Sequence, residues 1–188
     1  MSDAVSILNG ATFSGAVKVS DAGLRGMITL RGDLESDALQ RAVKSVTGLA
    51  VPALRRVTSN AQGLVAWMSP DELLLLVDYA SADEVVAELG ALLAAEHHLV
   101  VNVSDARAMF RLDGGGAREV LAKGAPVDLS RGVFGKEEIR RSRIGQVAAA
   151  FWTLDGENFE VVCFRSVGAF VFDWLCNAAA EDSLPGFL

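Results

Sequence analysis

Apolar positions along this chain keep two rhythms, one of two residues and one of three to four. Regular patterning starts at Gly26. Residues 27–30 predict a strand, and Gly32-Asp33 a helix entry with Asp33 as N-cap. Ala38, Leu39, Ala42, Val43 and Val46 then recur at helical spacing. Gly48 is the expected C-cap, and Val51-Pro52 turns the chain to extended backbone. Residues 63–68 and 72–79 flank Ser69-Pro70-Asp71, which predicts a hairpin. A second helix opens at 81–84, where Ser81 and Glu84 have capping-box spacing. Its expected apolar face is Val85, Val86, Leu89, Leu92 and Leu93. The first 25 residues, rich in Ser, Gly, Ala and Asp, carry weak periodicity and read as an N-terminal arm.

The second half follows the same plan. Residues 98–103 predict a connecting strand, 108–112 a strand, Gly114-Gly115-Gly116 a turn, and 117–123 a helix with Gly124 as its C-cap. Residues 143–152 and 159–165 form a hairpin around Asp155-Gly156. A last helix covers 167–179, with Val167, Phe170, Val171, Trp174, Leu175 and Ala178 as its apolar stripe. The halves superpose. Ile28 falls on Phe110 and Gly32 on Gly114, and Trp67 with Glu72 falls on Trp152 with Glu157. The fold class is therefore α+β: a duplicated strand–helix–hairpin–helix unit, with helices packed on a largely antiparallel sheet. The expected organisation is an arm over 1–25, a single domain over 26–180 built from pseudo-repeats at 26–96 and 105–180, and a tail over 181–188.

Composition narrows the class. The chain has 188 residues, 51% hydrophobic and 22% charged, enough to bury a core and unlike a disordered chain. No apolar run reaches membrane-spanning length, and residues 1–20 lack a signal-peptide pattern, so a cytoplasmic protein is expected. The net charge of −7 argues against nucleic-acid binding. Nine basic and five acidic residues lie between 107 and 143, a local net of +4. The basic members are Arg107, Arg111, Arg118, Lys123, Arg131, Lys136, Arg140, Arg141 and Arg143. They form either a solvated face or a docking surface for an acidic partner or small anion. Arg141 and Arg143 would share a face of an extended segment.

Candidate chemistry is sparse. Cys163 and Cys176 form no CxxC pair, and the two histidines, His97 and His98, are adjacent, so neither pair has metal-ligand spacing. The thiols are expected to be buried and reduced. Gly114-Gly115-Gly116 matches neither phosphate-binding glycine pattern and reads as a flexible turn. No G-x-S-x-G elbow occurs. Asp33, Asp71 and Glu84 sit where capping explains them. Trp67, Trp152 and Trp174 read as core anchors rather than ligand platforms.

An ordered set of segments resembles the gamma subunit of heterotetrameric sarcosine oxidase. These are 64–75 (LVAWMSPDELLL), 103–107 (VSDAR), 117–124 (AREVLAKG), 126–129 (PVDL), 141–147 (RSRIGQV), 163–166 (CFRS) and Trp174-Leu175. The resemblance runs from about Gly26 to Ala178. It implies a fold like the folate-binding domain of the glycine-cleavage aminomethyltransferase. It also implies an accessory role, without an active site of its own, beside alpha, beta and delta subunits. That complex demethylates sarcosine oxidatively to glycine, forms hydrogen peroxide, and passes the one-carbon unit to tetrahydrofolate or releases formaldehyde. FAD, FMN, NAD and zinc belong to the partner subunits, and tetrahydrofolate is likewise expected there. The acidic pair that the aminomethyltransferases use near folate has no counterpart, since Asp71-Glu72 lies at a turn. A folate-like small-anion binding module is the alternative. The expected subunit-docking residues are Arg107, Arg111, Arg118, Lys123, Arg140, Arg141 and Arg143.

Overall fold

The computed structural model describes residues 4–188. In chain order its elements are β1 (Thr12–Ser14), β2 (Lys18–Asp21), β3 (Gly26–Arg31), α1 (Asp37–Thr47), β4 (Val57–Ser59), β5 (Leu64–Ser69), β6 (Glu72–Val77), α2 (Ala82–Leu92), β7 (Leu99–Asn102), β8 (Arg107–Asp113), α3 (Ala117–Ala122), β9 (Glu138–Ile144), β10 (Val147–Thr153), β11 (Phe159–Phe164) and α4 (Gly168–Ala178). They fall into two compact units. One is Arg25–Asp105, and the other joins the segment up to Leu24 with Ala106–Leu188.

In the unit Arg25–Asp105 the sheet order is β4-β5-β6-β3-β7, every pairing antiparallel. Ile28, Leu30, Val65, Leu73 and Leu75 on one face pack with Leu39, Ala42 and Val43 of α1 and with Leu89 and Leu93. The other face also carries buried side chains, among them Met27, Leu64, Met68, Leu74 and Leu76. This explains why Leu73-Leu74-Leu75-Leu76 does not alternate with polar residues: both faces are dry. The first helix starts later than expected. Ser36, not Asp33, is its N-cap and accepts from the Ala38 amide, while Asp33 accepts from the Glu35 amide in a preceding turn. Gly48 closes the helix at φ 71°, as its position predicts. Ser81 makes no capping bond. Its hydroxyl donates to the Asp78 carbonyl in a 3-10 turn that leads into α2. Leu92, expected inward, is exposed.

The second unit has sheet order β1-β2-β8-β11-β10-β9, again antiparallel throughout. Its core joins Phe110, Leu112, Phe151, Phe159 and Val161 to Ala117, Val120 and Leu121 of α3 and to Val171, Phe172 and Leu175 of α4. Two expectations change here. The stretch 143–152 is not one strand, because Gly145 at φ 59° turns the chain and Ile144 pairs with Val147 across a two-residue hairpin. The stripe of α4 is rotated, so that Phe172 is buried against Phe110 while Phe170 is 56% exposed.

The duplication is real, but one overlay is wrong by a residue. Trp67 packs with the helix-covered core. Trp152 pairs with Glu160 on the opposite face of its sheet, and its indole N–H donates to Glu160 at 2.6 Å. Thr153 is the true counterpart of Trp67: Val65, in line with Leu75 and Ile28, matches Phe151, in line with Val161 and Phe110, and a slip of one residue turns every side chain over.

The expected arm is also a correction. Its first three residues lie outside the described region, but β1 and β2 within it are sheet strands. Val17 and Val19 are fully buried, and β2 covers the edge of β8. Symmetrically, β7 covers the edge of β3. Each repeat therefore opens with a strand that completes the other repeat's sheet. Both strands end on an Asx turn: Asp21 accepts from the Gly23 amide and Asn102 from the Ser104 amide. Asp21 further accepts from Ser6 Oγ and the amides of Leu8 and Gly10, which ties down the preceding loop. Composition concealed this. Polar strand residues at a sheet edge look like linker until their partner is known. The tail is anchored too, since Glu119 accepts from the amides of Gly186 and Leu188. A chain lacking residues 1–21 is expected to lose cooperative thermal unfolding and to aggregate. A truncated chain that stays monomeric on size exclusion and melts like the parent would refute this role for β2.

Candidate interaction surface

The nine basic residues between 107 and 143 do not act together. Arg118, expected at a docking surface, is only 2% exposed. It projects from α3, where Ala117, Val120 and Leu121 face the core, and its guanidinium donates to the carbonyls of Leu129 at 2.6 Å and Gly156 at 2.8 Å. It also lies 5.2 Å from the Phe159 ring centroid and 6.0 Å from that of Phe134. Burial, with Arg131 as a second contributor, lowers its pKa from the guanidinium's ordinary value. Arg118 is thus an internal brace that holds the connection after α3 and the β10–β11 turn in place. Sequence reasoning missed this because a buried arginine has the same local signature as an exposed one.

Most of the others are engaged within the unit. Arg140 donates to the Ile139 and Val133 carbonyls and sits 4.7 Å from the Phe134 ring centroid. Arg131 pairs with Glu157, and Arg111 with Asp113 at 2.7 Å. Lys123 donates to the Ala178 carbonyl and to Ser183 Oγ. Arg107 stacks over Phe164 at 4.5 Å. Arg141 and Arg143 are exposed on β9, the edge strand, two residues apart and hence on one face, as expected. Their cross-strand neighbours are Ala150 and Ala148, too small to cover them.

The turn that Arg118 braces is itself polar. Desolvation favours the neutral acid at Asp155, but the amides of Glu157 and Asn158, the Asn158 side chain and Thr153 Oγ1 outweigh that and hold its pKa at about 2. Asn158 passes the order on by accepting from the Gly114 amide. The Gly114-Gly115-Gly116 segment is accordingly a turn tied to β11, not an open cradle.

No group of three or more His, Cys, Asp or Glu among the described residues could hold a metal. The His98 ring contacts the Glu96 carbonyl through Nδ1. Both cysteines are free thiols. Burial pushes Cys163 up to about 11, and burial followed by Asp173 raises Cys176. Among the described residues no helix is long and apolar enough to cross a membrane.

Sequence reasoning also missed a groove of about 460 Å³ on the unit Arg25–Asp105. Its walls include Gln40 of α1, Pro52, Ala53 and Leu54 of the following connection, Trp67 of β5 and Pro70 of the hairpin. Leu54 is 65% exposed. The only local signal is an apolar run, Val51-Pro52-Ala53-Leu54, in a connection where polar residues are usual.

The chain is thus of the duplicated antiparallel α+β class, and comparison with known proteins specifies it further. The family model for the sarcosine oxidase, gamma subunit family matches residues 31–181, so this chain belongs to that family. It is 27% identical over 144 residues to sarcosine oxidase subunit gamma of Corynebacterium sp. (strain U-96), covering 76% of this chain and 69% of that one. It is 28% identical over 126 residues to the strain P-1 protein, covering 66% and 61%. The fold matches a chain of heterotetrameric sarcosine oxidase from Corynebacterium sp. U-96 at TM-score 0.81 and 23% identity, with 94% and 91% coverage. It matches aminomethyltransferase T of the Bartonella henselae glycine cleavage system at TM-score 0.61 and 13% identity, with 84% and 45% coverage. The expected aminomethyltransferase-like fold is therefore present.

Two outcomes follow from this geometry. Arg118→Ala is expected to cost about 3 kcal/mol in urea unfolding, because the buried Leu129 carbonyl and the part-buried Gly156 carbonyl lose their donor. Asp155 has a lowered folded pKa, so its stabilisation is full above its unfolded value and is lost as pH falls from about 4 towards 2. Melting curves across that window should flatten in Asp155→Asn relative to the parent.

Proposed function

We propose that this chain is the accessory subunit of a cytoplasmic heterotetrameric sarcosine oxidase, stabilising or positioning catalytic alpha, beta and delta subunits. The family match over residues 31–181 is the observation that carries this reading. In it, the partner subunits hold FAD, FMN, NAD and zinc, and tetrahydrofolate is used there. The assembly demethylates sarcosine oxidatively to glycine, and this chain contributes contact surface rather than reacting groups. The solved relative at TM-score 0.81 comes from a heterotetramer, which supports an assembled working state.

Arg141 and Arg143 are the strongest docking candidates among the basic residues. They sit on an edge strand that is not covered on its outer side within the sheet, and they point to one face. Arg111, paired with Asp113, and Lys123, bonded to the Ala178 carbonyl, are further candidates.

Co-expression with the host's sarcosine oxidase subunits tests the reading. The tagged chain should recover two large flavin-containing subunits and a small zinc-binding one; recovery of this chain alone under gentle low-salt conditions would overturn it. Arg141→Glu with Arg143→Glu should weaken assembly about tenfold at low salt, with the difference shrinking at high salt. Equal assembly across the salt range would remove these two residues from the interface.

A further inference from the structure

The ladder registers allow the two sheets to be compared strand by strand. Ile28 of β3 corresponds to Phe110 of β8, and their partners on the covering strands are Asn102 and Asp21. Counting back along those strands, Val101 stands for Ser20, Val100 for Val19 and Leu99 for Lys18. Strands β7 and β2 therefore occupy one place in two copies, and their backbones face the same way. The Val103 amide donates to the Met27 carbonyl and the Ala22 amide to the Met109 carbonyl. Antiparallel ladders alternate, so Val101 and Leu99 also bond to β3, and Ser20 and Lys18 to β8. The amides of Val100 and Asn102, like those of Val19 and Asp21, then point away from the covered strand.

In the second sheet that outward side is used. Strand β1 lies along it, with Phe13 opposite Val19, and the Asp21 amide donates to the Ala11 carbonyl at 2.9 Å. In the first sheet β7 is outermost, and no strand among the described residues lies beyond it. The side chains differ along with the cover. Lys18 and Ser20 of β2 are matched on β7 by Leu99 and Val101, which are 50% and 38% exposed and share one face. The sequence of β7, Leu-Val-Val-Asn, has neither a charge nor a proline, the usual devices that keep a bare edge from pairing. Strand β9 is also outermost, yet it carries Arg141 and Arg143.

We propose that β7 is completed by an antiparallel strand from a partner subunit of the oxidase, seated as β1 is seated on β2. The inference rests on the assembly reading above. On β1, polar Thr12 and Ser14 lie opposite Ser20 and Lys18. The guest strand carries apolar side chains at those two positions, because Val101 and Leu99 are what they meet. Main-chain bonds to Val100 and Asn102 hold it, and the alternate side chains select it. A second copy of this chain suits the place less well. A four-residue edge alone buries far less than the ~1,000 Å² of a stable interface, so the strand belongs to a larger contact such as a subunit of the same assembly makes.

Amide hydrogen exchange at single-residue resolution tests the backbone contact. In the full chain alone, Val100 and Asn102 should be at least about tenfold less protected than Val19 and Asp21, which β1 covers. In the co-expressed assembly their protection should rise to match. Unchanged fast exchange within an assembled complex would overturn the strand proposal and leave the assembly reading standing. Protection that appears in the chain alone as its concentration rises would put a second copy on the edge and refute the proposal. Leu99→Lys with Val101→Lys tests the side chains. Both sites are exposed, so the variant should melt like the parent, while recovering partner subunits about tenfold less well. Parent-like recovery by the folded variant would also overturn the proposal, and exchange in the parent decides the matter if the variant does not fold. A parent chain that recovers no partner would overturn both readings.

Discussion

The structure depends on closing two strand edges. A β-strand left at a sheet edge exposes a row of amides and carbonyls that water or another chain must satisfy. Here β3 and β8 would each be such an edge. Each is covered by the short strand that leads into the other repeat: β7 on β3 and β2 on β8. The correspondence extends beyond the ladders. The Ala22 amide donates to the Met109 carbonyl, and the Val103 amide to the Met27 carbonyl. The same bond is thus made twice, at matching places, from the middle residue of each Asx turn. Helices, hairpins and cores are arranged on sheets that these exchanged strands complete.

On that shared frame the repeats have diverged in how they finish the end of the sheet nearest the hairpin. The second repeat uses a long connection, Phe134 and the buried Arg118 to make a dry, internally braced corner. A buried guanidinium is tolerated there because two carbonyls and two rings replace part of its hydration. The first repeat keeps a short connection and leaves Trp67 partly uncovered. One half has used its aromatic chemistry to stabilise itself, and the other keeps apolar surface available.

Much of the fold was legible in the sequence. The α+β class, the duplication, the hairpin at Pro70, the Gly48 cap and the two-residue relation of Arg141 to Arg143 all follow from local rules that the structure obeys. What was not legible depends on distant partners. Lys18–Asp21 is too short and polar to announce itself as a strand, and only its register with β8 gives it meaning. The face of Trp152 is set by a ladder register, and an overlay by residue type alone mistook it for the partner of Trp67. Charge spacing placed Arg118 with exposed arginines, because nothing local reports the carbonyls of Leu129 and Gly156 that draw it inward. The groove is formed by residues distant in sequence, Gln40, Pro52, Leu54, Trp67 and Pro70, and becomes visible only in space.

The strand exchange also orders events during synthesis. The unit Arg25–Asp105 is continuous in the chain, so it can close as soon as β7 has emerged. The other unit is split around it, and β1 and β2 are made first but must wait for β8. Through that interval the nascent chain carries an orphan hairpin. Its shortness, with three- and four-residue strands, and the lysine at its edge make it a poor template for pairing with a neighbour. The polar composition that made this segment look like a mere lead-in is what lets it travel unpaired until its own sheet is ready.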